Sequence, residues 1–196
     1  MMPQALTLPK LEFHPLTAKR WKDLLNLFGE RGACGGCWCM WWRLTRSEFN
    51  RTKGEGNKKG LKKIVDAGEV PGILAYAGKE PIGWCSVAPR EAFFSLERSR
   101  ILKRVDDKPV WSVVCFFVAK PFRYKGVTVS LLKAAIEYVK KQKGKIVEGY
   151  PVEPKTEKFP DVFANTGLAS AFRRAGFKEV MRRSKTRPIM RYYIID

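Results

Sequence analysis

The chain has 196 residues, 45 % of them apolar and 12 % aromatic, and its 38 Lys and Arg outweigh 19 Asp and Glu to give a net charge of +19. This length suits one domain with a sizeable core, and the composition excludes a disordered or low-complexity protein. The charge attracts polyanions such as nucleic acid, phosphorylated cofactors and acidic proteins, but the basic clusters at 58–63, 140–145 and 182–187 share no recognition-motif spacing, so they read first as solvated surface.

MMPQALTLPK, residues 1–10, has no basic region leading into an apolar run, so no signal peptide is expected. The longest uncharged apolar run, VWSVVCFFVA at 110–119, is half of the roughly 20 residues a bilayer span needs. The expectation is a tail over 1–10 and a single domain over 11–196, cytoplasmic and without membrane contact. Five cysteines, an odd number, argue for free thiols rather than a disulfide framework.

LEFHPLT (11–17) alternates as a strand does, and Thr17 is placed to cap a helix over 18–29, where Trp21, Leu24, Leu25 and Phe28 recur at helical spacing. The segment 33–42, ACGGCWCMWW, follows. Residues 47–68 are polar, with a helical second half closed by Gly68. GILAYAG (72–78) and PIGWCSVAP (81–89) are short apolar strands separated by a hairpin-sized break. After an irregular or helical stretch over 90–105, the run 110–119 is the most apolar strand and therefore central. It leads through FRYKGVT (122–128) into a helix over 127–142 and then the strand KIVEGYPV (145–152), a βαβ unit whose strands should run parallel. A proline-broken loop (153–167), a helix near 168–175 and the strands EVMRRS and RPIMRYYI complete the chain.

FRYKGVT lies where a strand gives way to a helix. A helix start presents unpaired N–H groups and a partial positive charge, which suit an anion. Gly126 lets the backbone approach closely, and Arg123 and Lys125 add charge.

The order of elements, with this turn after the fourth strand, resembles the GNAT superfamily of acetyl-CoA-dependent N-acyltransferases. That family's acyl-CoA motif is Gln or Arg, two residues, Gly, one residue, then Gly or Ala. Arg123-Tyr124-Lys125-Gly126-Val127-Thr128 matches its first and fourth positions, with Thr128 in place of the small residue. ANTGLASAFRRAGF (164–177) resembles a later motif in which Asn precedes a helix ending in Gly-Phe. The resemblance, which spans residues 11 to 194, implies an α/β fold. It would have a single mixed, mostly antiparallel sheet, a central splayed parallel strand pair and flanking helices. The pantetheine arm of acetyl-CoA, the co-substrate, would lie between the strands 110–119 and 145–152. Backbone groups of Phe117 and Val118 would bond its amides. The N–H groups of residues 123–128, including Tyr124, Val127 and Thr128, would hold the pyrophosphate, and Asn165 would meet the cofactor arm or cap the following helix.

The implied reaction is attack of an amine on the thioester, transferring acetyl to a primary amine of a small acceptor. Presenting an alkylammonium as the neutral amine at pH 7 costs about 4.6 kcal/mol, so a general base would help. The strand 110–119 carries no carboxylate. Glu148 on the partner strand is the first candidate base, followed by Glu153, Asp161 and His14. Many family members carry a Tyr acid four residues before the Gly of Gly-Phe, a place held here by Phe172. Tyr150, Ser170 or water would then supply the proton. A catalytically idle module of the same fold, binding CoA or nucleic acid, is the other reading that stays open. Nucleic acid is the less favoured partner, and the oligomeric state, a homodimer included, stays open.

Zinc would need four ligands, and the spacing of Cys34, Cys37 and Cys39 supplies no second pair, so no metal is expected. Small Cys and large Trp pack well, and in the resembled fold the segment after the first helix forms part of the acceptor cleft. The resemblance therefore implies a pocket wall in which Trp38, Trp41 or Trp42 faces the acceptor, with plain core packing the alternative.

Overall fold

The computed structural model of the chain describes residues 9–154 and 164–195. Seven strands form one sheet: β1 (Leu11–Pro15), β2 (Gly72–Ala77), β3 (Glu80–Pro89), β4 (Trp111–Val118), β5 (Ile146–Gly149), β6 (Lys178–Arg182) and β7 (Pro188–Tyr193). Their spatial order is β1-β2-β3-β4-β5-β7-β6. Among these seven strands only β4 and β5 pair in parallel, through Trp111, Ser112 and Val113 with Val147, Glu148 and Gly149, and the other strand pairs are antiparallel. The splayed mixed sheet implied by the resemblance is thus the observed one.

Helix α1 (Trp21–Phe28) starts later than Thr17, because a 3-10 turn over 18–20 comes first and Thr17 caps nothing with its side chain. The polar stretch after residue 45 holds two helices where one was expected, α2 (Arg46–Thr52) and α3 (Glu55–Asp66). Thr45 accepts from the Glu48 N–H while the Glu48 carboxylate accepts from the Thr45 N–H, a capping box written in the sequence as T-x-x-E. A short α4 (Phe94–Glu97) follows β3.

Helix α5 (Val127–Lys141) buries Val127, Leu131, Leu132, Ala135, Ile136 and Val139. These recur at helical spacing and pack on Ile73, Val87, Val113 and Val147 of one sheet face. On the opposite face α1, α3 and the Cys-Trp segment bury Leu24, Phe28, Trp38, Cys39 and Leu61 against Leu74 and Trp84. Helix α6 (Ala169–Arg174) packs beside α5. No helix among the described residues is long and apolar enough to cross a membrane.

The parallel pair opens at an identifiable irregularity. Ser86 pairs with Cys115 and Val87 with Val113, so Val114 is an extra residue in β4. Such a bulge bends its strand and increases the local twist. Val113 is also the last β4 residue paired with β5. On the other side of the gap, Phe172 rests on Gly149, where a Cβ would lie 2.1 Å from the ring. Beyond that point the Phe116 N–H donates to the Asn165 carbonyl at 2.7 Å instead of to β5.

Candidate active site

The gap between β4 and β5 opens into a cleft of about 610 Å³, bounded by the α5 N-terminus, α6 and the segment around Asn165. Gly126 is the N-cap of α5 with φ +80°, a left-handed conformation that glycine takes readily. It provides no side-chain cap, and an α-helix leaves its first N–H groups without intrahelical partners. These groups therefore face the cleft as an anion-binding edge. Arg123, Tyr124, Gly126, Val127 and Thr128 line this end, joined from α6 by Arg174. Lys125 is not among the lining residues, and its ammonium lies 5.9 Å from the Phe122 ring centroid.

Phe117, Val118 and Asn165 line the cleft as well. The Ala119 N–H donates to the Ile82 carbonyl on β3 (2.9 Å), and Phe117 pairs with Trp84 of the same strand. Alternation along the strand therefore turns the backbone groups of Phe117 toward β3, and those of Phe116 and Val118 toward the gap. Within the gap, the Asn165 carbonyl accepts from Phe116 and the Val118 carbonyl accepts from Arg123 Nε at 3.0 Å. Val118 and Phe116 are thus the pair whose backbone could meet an extended ligand arm.

Glu148 and Tyr150 do not line the cleft. Both are fully buried on the face away from α5, because Gly149 between them faces α6. Glu148 accepts from Arg90 Nη1 (3.1 Å), Arg191 Nε (2.7 Å) and the Tyr150 hydroxyl (2.6 Å). Tyr150 also accepts from Arg90 Nη1 at 2.6 Å and, its own proton being given to Glu148, from the Ser112 hydroxyl at 2.8 Å. Burial, followed by the Glu148 charge, pushes the Tyr150 phenol well above its ordinary value, so it stays neutral. The Arg191 guanidinium holds Asp106 below the usual carboxylate range.

Of the other candidates, Glu153 is tied to Arg173 and Arg182. His14 is on the edge strand β1, with Glu12 3.4 Å away. Asp161 lies outside the described residues, whereas Ser170 lines the cleft. Phe172 is fully buried, with Phe177 at 5.0 Å and Phe116 at 6.1 Å between ring centroids. No carboxylate or imidazole is among the described residues that line the cleft.

The Cys-Trp segment does reach the cleft, through Ala33 and Cys34 and not through its tryptophans. Trp38 is buried between Trp21 and Phe28, and Gly32 is required beneath it, since a Cβ there would lie 2.2 Å from the indole. Trp41 is partly exposed and meets Phe49 edge-on, while Trp42 packs in the cluster containing Tyr150. Cys39 receives the Trp84 indole N–H at 3.1 Å and has its sulfur 3.6 Å from that of Cys115. Burial raises the Cys37 thiol to about 11. No cluster of His, Cys, Asp or Glu among the described residues could hold a metal ion. The Cys-Trp composition marks the segment holding Cys34 as a wall, but which of its side chains meets the cleft depends on long-range packing. Arg174 had a weak signal, the basic end of a helix following the Asn motif. Cys34 is exposed and on the cleft wall, so it should alkylate before the buried Cys39 and Cys85. Saturating CoA should slow that reaction at least about tenfold, as read by mass spectrometry of peptides, if the cofactor fills the cleft.

A seven-stranded mixed sheet whose single parallel pair opens beside a bare helix N-terminus defines the acyl-CoA N-acyltransferase architecture. The acetyltransferase (GNAT) family model matches residues 38–151, more than half the chain, and the protein belongs to that family. Similar solved structures include a GNAT-family acetyltransferase of Listeria monocytogenes (7 % identity, 95 % of this chain and 96 % of that one, TM-score 0.57). The PaiA N-acetyltransferase of Thermoplasma acidophilum, solved with coenzyme A, is similar at 15 % identity over 94 % of this chain and 99 % of its own (TM-score 0.52). Arabidopsis thaliana NAA60, solved with acetyl-CoA, shares 14 % identity over 94 % of this chain and 100 % of its own (TM-score 0.50). At these identities the likeness is one of fold. No curated protein matches the chain in sequence.

Proposed function

We propose that the protein is an N-acetyltransferase that takes the acetyl group from acetyl-CoA and passes it to a primary amine of a small acceptor. The observation that carries this reading is the uncapped α5 N-terminus opening onto the cleft that the end of β4 forms with the segment around Asn165, with Arg123 and Arg174 beside it. The N–H groups and two guanidiniums would receive the pyrophosphate, and the backbone of Phe116 and Val118 would guide the pantetheine arm along β4. Two proteins of similar fold, solved in complex with coenzyme A and with acetyl-CoA, support the choice of cofactor.

In this reading Glu148 and Tyr150 act at a remove from the chemistry. Their network ties β4, β5 and β7 together where the gap begins, and so holds its width. Proton transfer then falls to water, with the Ser170 hydroxyl and the Cys34 thiol on the cleft wall as further donors to a departing thiolate. A cytoplasmic location suits the free thiols.

The test is calorimetry with CoA, followed by thiol release with a panel of amines. Replacing Gly126 by valine is expected to weaken CoA binding at least about tenfold. A Cβ at Gly126 meets only Arg174 Nη2, at 4.0 Å, so the loss would come from the left-handed φ and from the side chain occupying the anion's place. Unchanged affinity in that variant, or no heat with CoA, would sink the proposal.

A further inference from the structure

Among the described residues, the only buried side-chain nitrogens or oxygens without a hydrogen-bond partner are Nε and Nη2 of Arg43. Other buried charge on this sheet face is matched, as with Arg90 and Arg191 on Glu148. The Arg43 guanidinium lies 4.6 Å from the Phe93 ring centroid, which covers one of its faces and bonds neither nitrogen. Burial lowers its pKa to about 10, so it remains a cation at neutral pH. An unpaired buried cation weakens a fold, and an apolar side chain of similar volume would serve packing better. Glu69 acts on the Arg43 guanidinium through space but bonds neither nitrogen, so an oxygen ligand would complete it.

We propose that Arg43 is the anchor for a carboxylate carried by the acceptor amine. Nε and Nη2 form one edge of the guanidinium, and their parallel N–H bonds match the two oxygens of a carboxylate. Arg43 directly follows the segment that gives Ala33 and Cys34 to the cleft wall, and is not itself among the lining residues. Its N–H bonds the Met40 carbonyl at 3.0 Å, and the neighbouring Cys39 touches Cys115 of β4, next to the cleft-lining Phe116 and Phe117. The Phe93 ring under the guanidinium packs in one cluster with Val114 and Cys115 of β4, which places the guanidinium beside that strand on the face opposite α5. Both nitrogens are closed to water, so an incoming acid displaces neighbouring side chains and offsets that disruption with two charge-assisted hydrogen bonds. The acceptor is then an amine with an acid group, of the amino-acid kind.

This inference rests on the acetyl-transfer reading, and the experiment separates the two. Amino acids and their matching carboxamides are compared for binding by calorimetry, for their effect on the unfolding temperature, and as acceptors in thiol release. The acids should bind at least about 30-fold more tightly than the amides. Arg43→Met should erase that difference while unfolding, without ligand, at the same or a higher temperature. Arg43→Lys, a charge without the planar fork, should restore part of it. Equal binding of acids and amides overturns the proposal, and so does an Arg43→Met protein that unfolds well below the wild type, which would make Arg43 a packing residue. Acid binding without turnover of any amine would sink acetyl transfer and leave the carboxylate site standing. Turnover of acids and amides alike would do the reverse.

Discussion

Glu148→Ala is expected to destabilise the protein by about 3 kcal/mol and lower its unfolding temperature by about 6–12 °C. Glu148 is within hydrogen-bond distance of Arg90, Arg191 and Tyr150, all fully or nearly fully buried. Removing one partner from a buried ion pair typically costs about 3–5 kcal/mol, because the other charge is left without compensation. The low end applies because Arg90 keeps Glu97 (2.7 Å) and the Leu102 carbonyl (2.9 Å), and Arg191 keeps both oxygens of Asp106. Glu148→Gln, which retains an acceptor oxygen, should lose less. Thermal unfolding and thiol-release kinetics on the same variants discriminate between two roles. A structural lock loses stability, and any loss of rate follows from a misshapen gap. A variant that melts normally while kcat collapses would show that Glu148 exchanges protons with the cleft.

The second large effect is on pH dependence. With no carboxylate or imidazole among the described residues lining the cleft, the described wall offers no base to an ammonium acceptor. The rate should then follow the free-amine fraction, rising about tenfold per pH unit through roughly three units above pH 7 before levelling near the amine's own pKa of about 10.4. The sign follows from which form reacts, since deprotonation creates the nucleophile and alkali favours the reaction. Measuring kcat/KM from pH 6.5 to 9.5 with an alkylamine, and again with an amine of lower pKa, checks this. The alkylamine should show no break in this range, and the weaker base should show one at its own pKa. A plateau at the same neutral pH for both would reveal a protein base, and Ser170 and Cys34 variants would then locate its relay.

Much of the fold can be read from local pattern. The spacing of Val127, Leu131, Ala135 and Val139 makes α5 amphipathic, and the run 110–119 could only be a buried strand. Thr45 and Glu48 mark a helix start that the polar composition around them obscured, since a polar helix has little apolar periodicity. In the site, the turn at 123–128 carries its own chemistry, because a glycine before a helix and the bare N–H groups after it are properties of a few consecutive residues.

What local pattern cannot settle is orientation. Glu148 on a strand points to one face or the other, and only the packing of Gly149 under Phe172 sends the carboxylate to the arginines and away from the cleft. Likewise, which β4 carbonyls face the gap depends on β3 pairing and on the extra residue at Val114. Cys34 and Arg43 acquire their surroundings from β4 and Phe93, dozens of residues away in sequence. By itself, then, the amino-acid order determined the helices, the strands and the anion-binding turn, because these depend on near neighbours. Tertiary structure alone decided which side chains meet the cleft and which are locked away from it, because that depends on contacts between residues far apart in the chain.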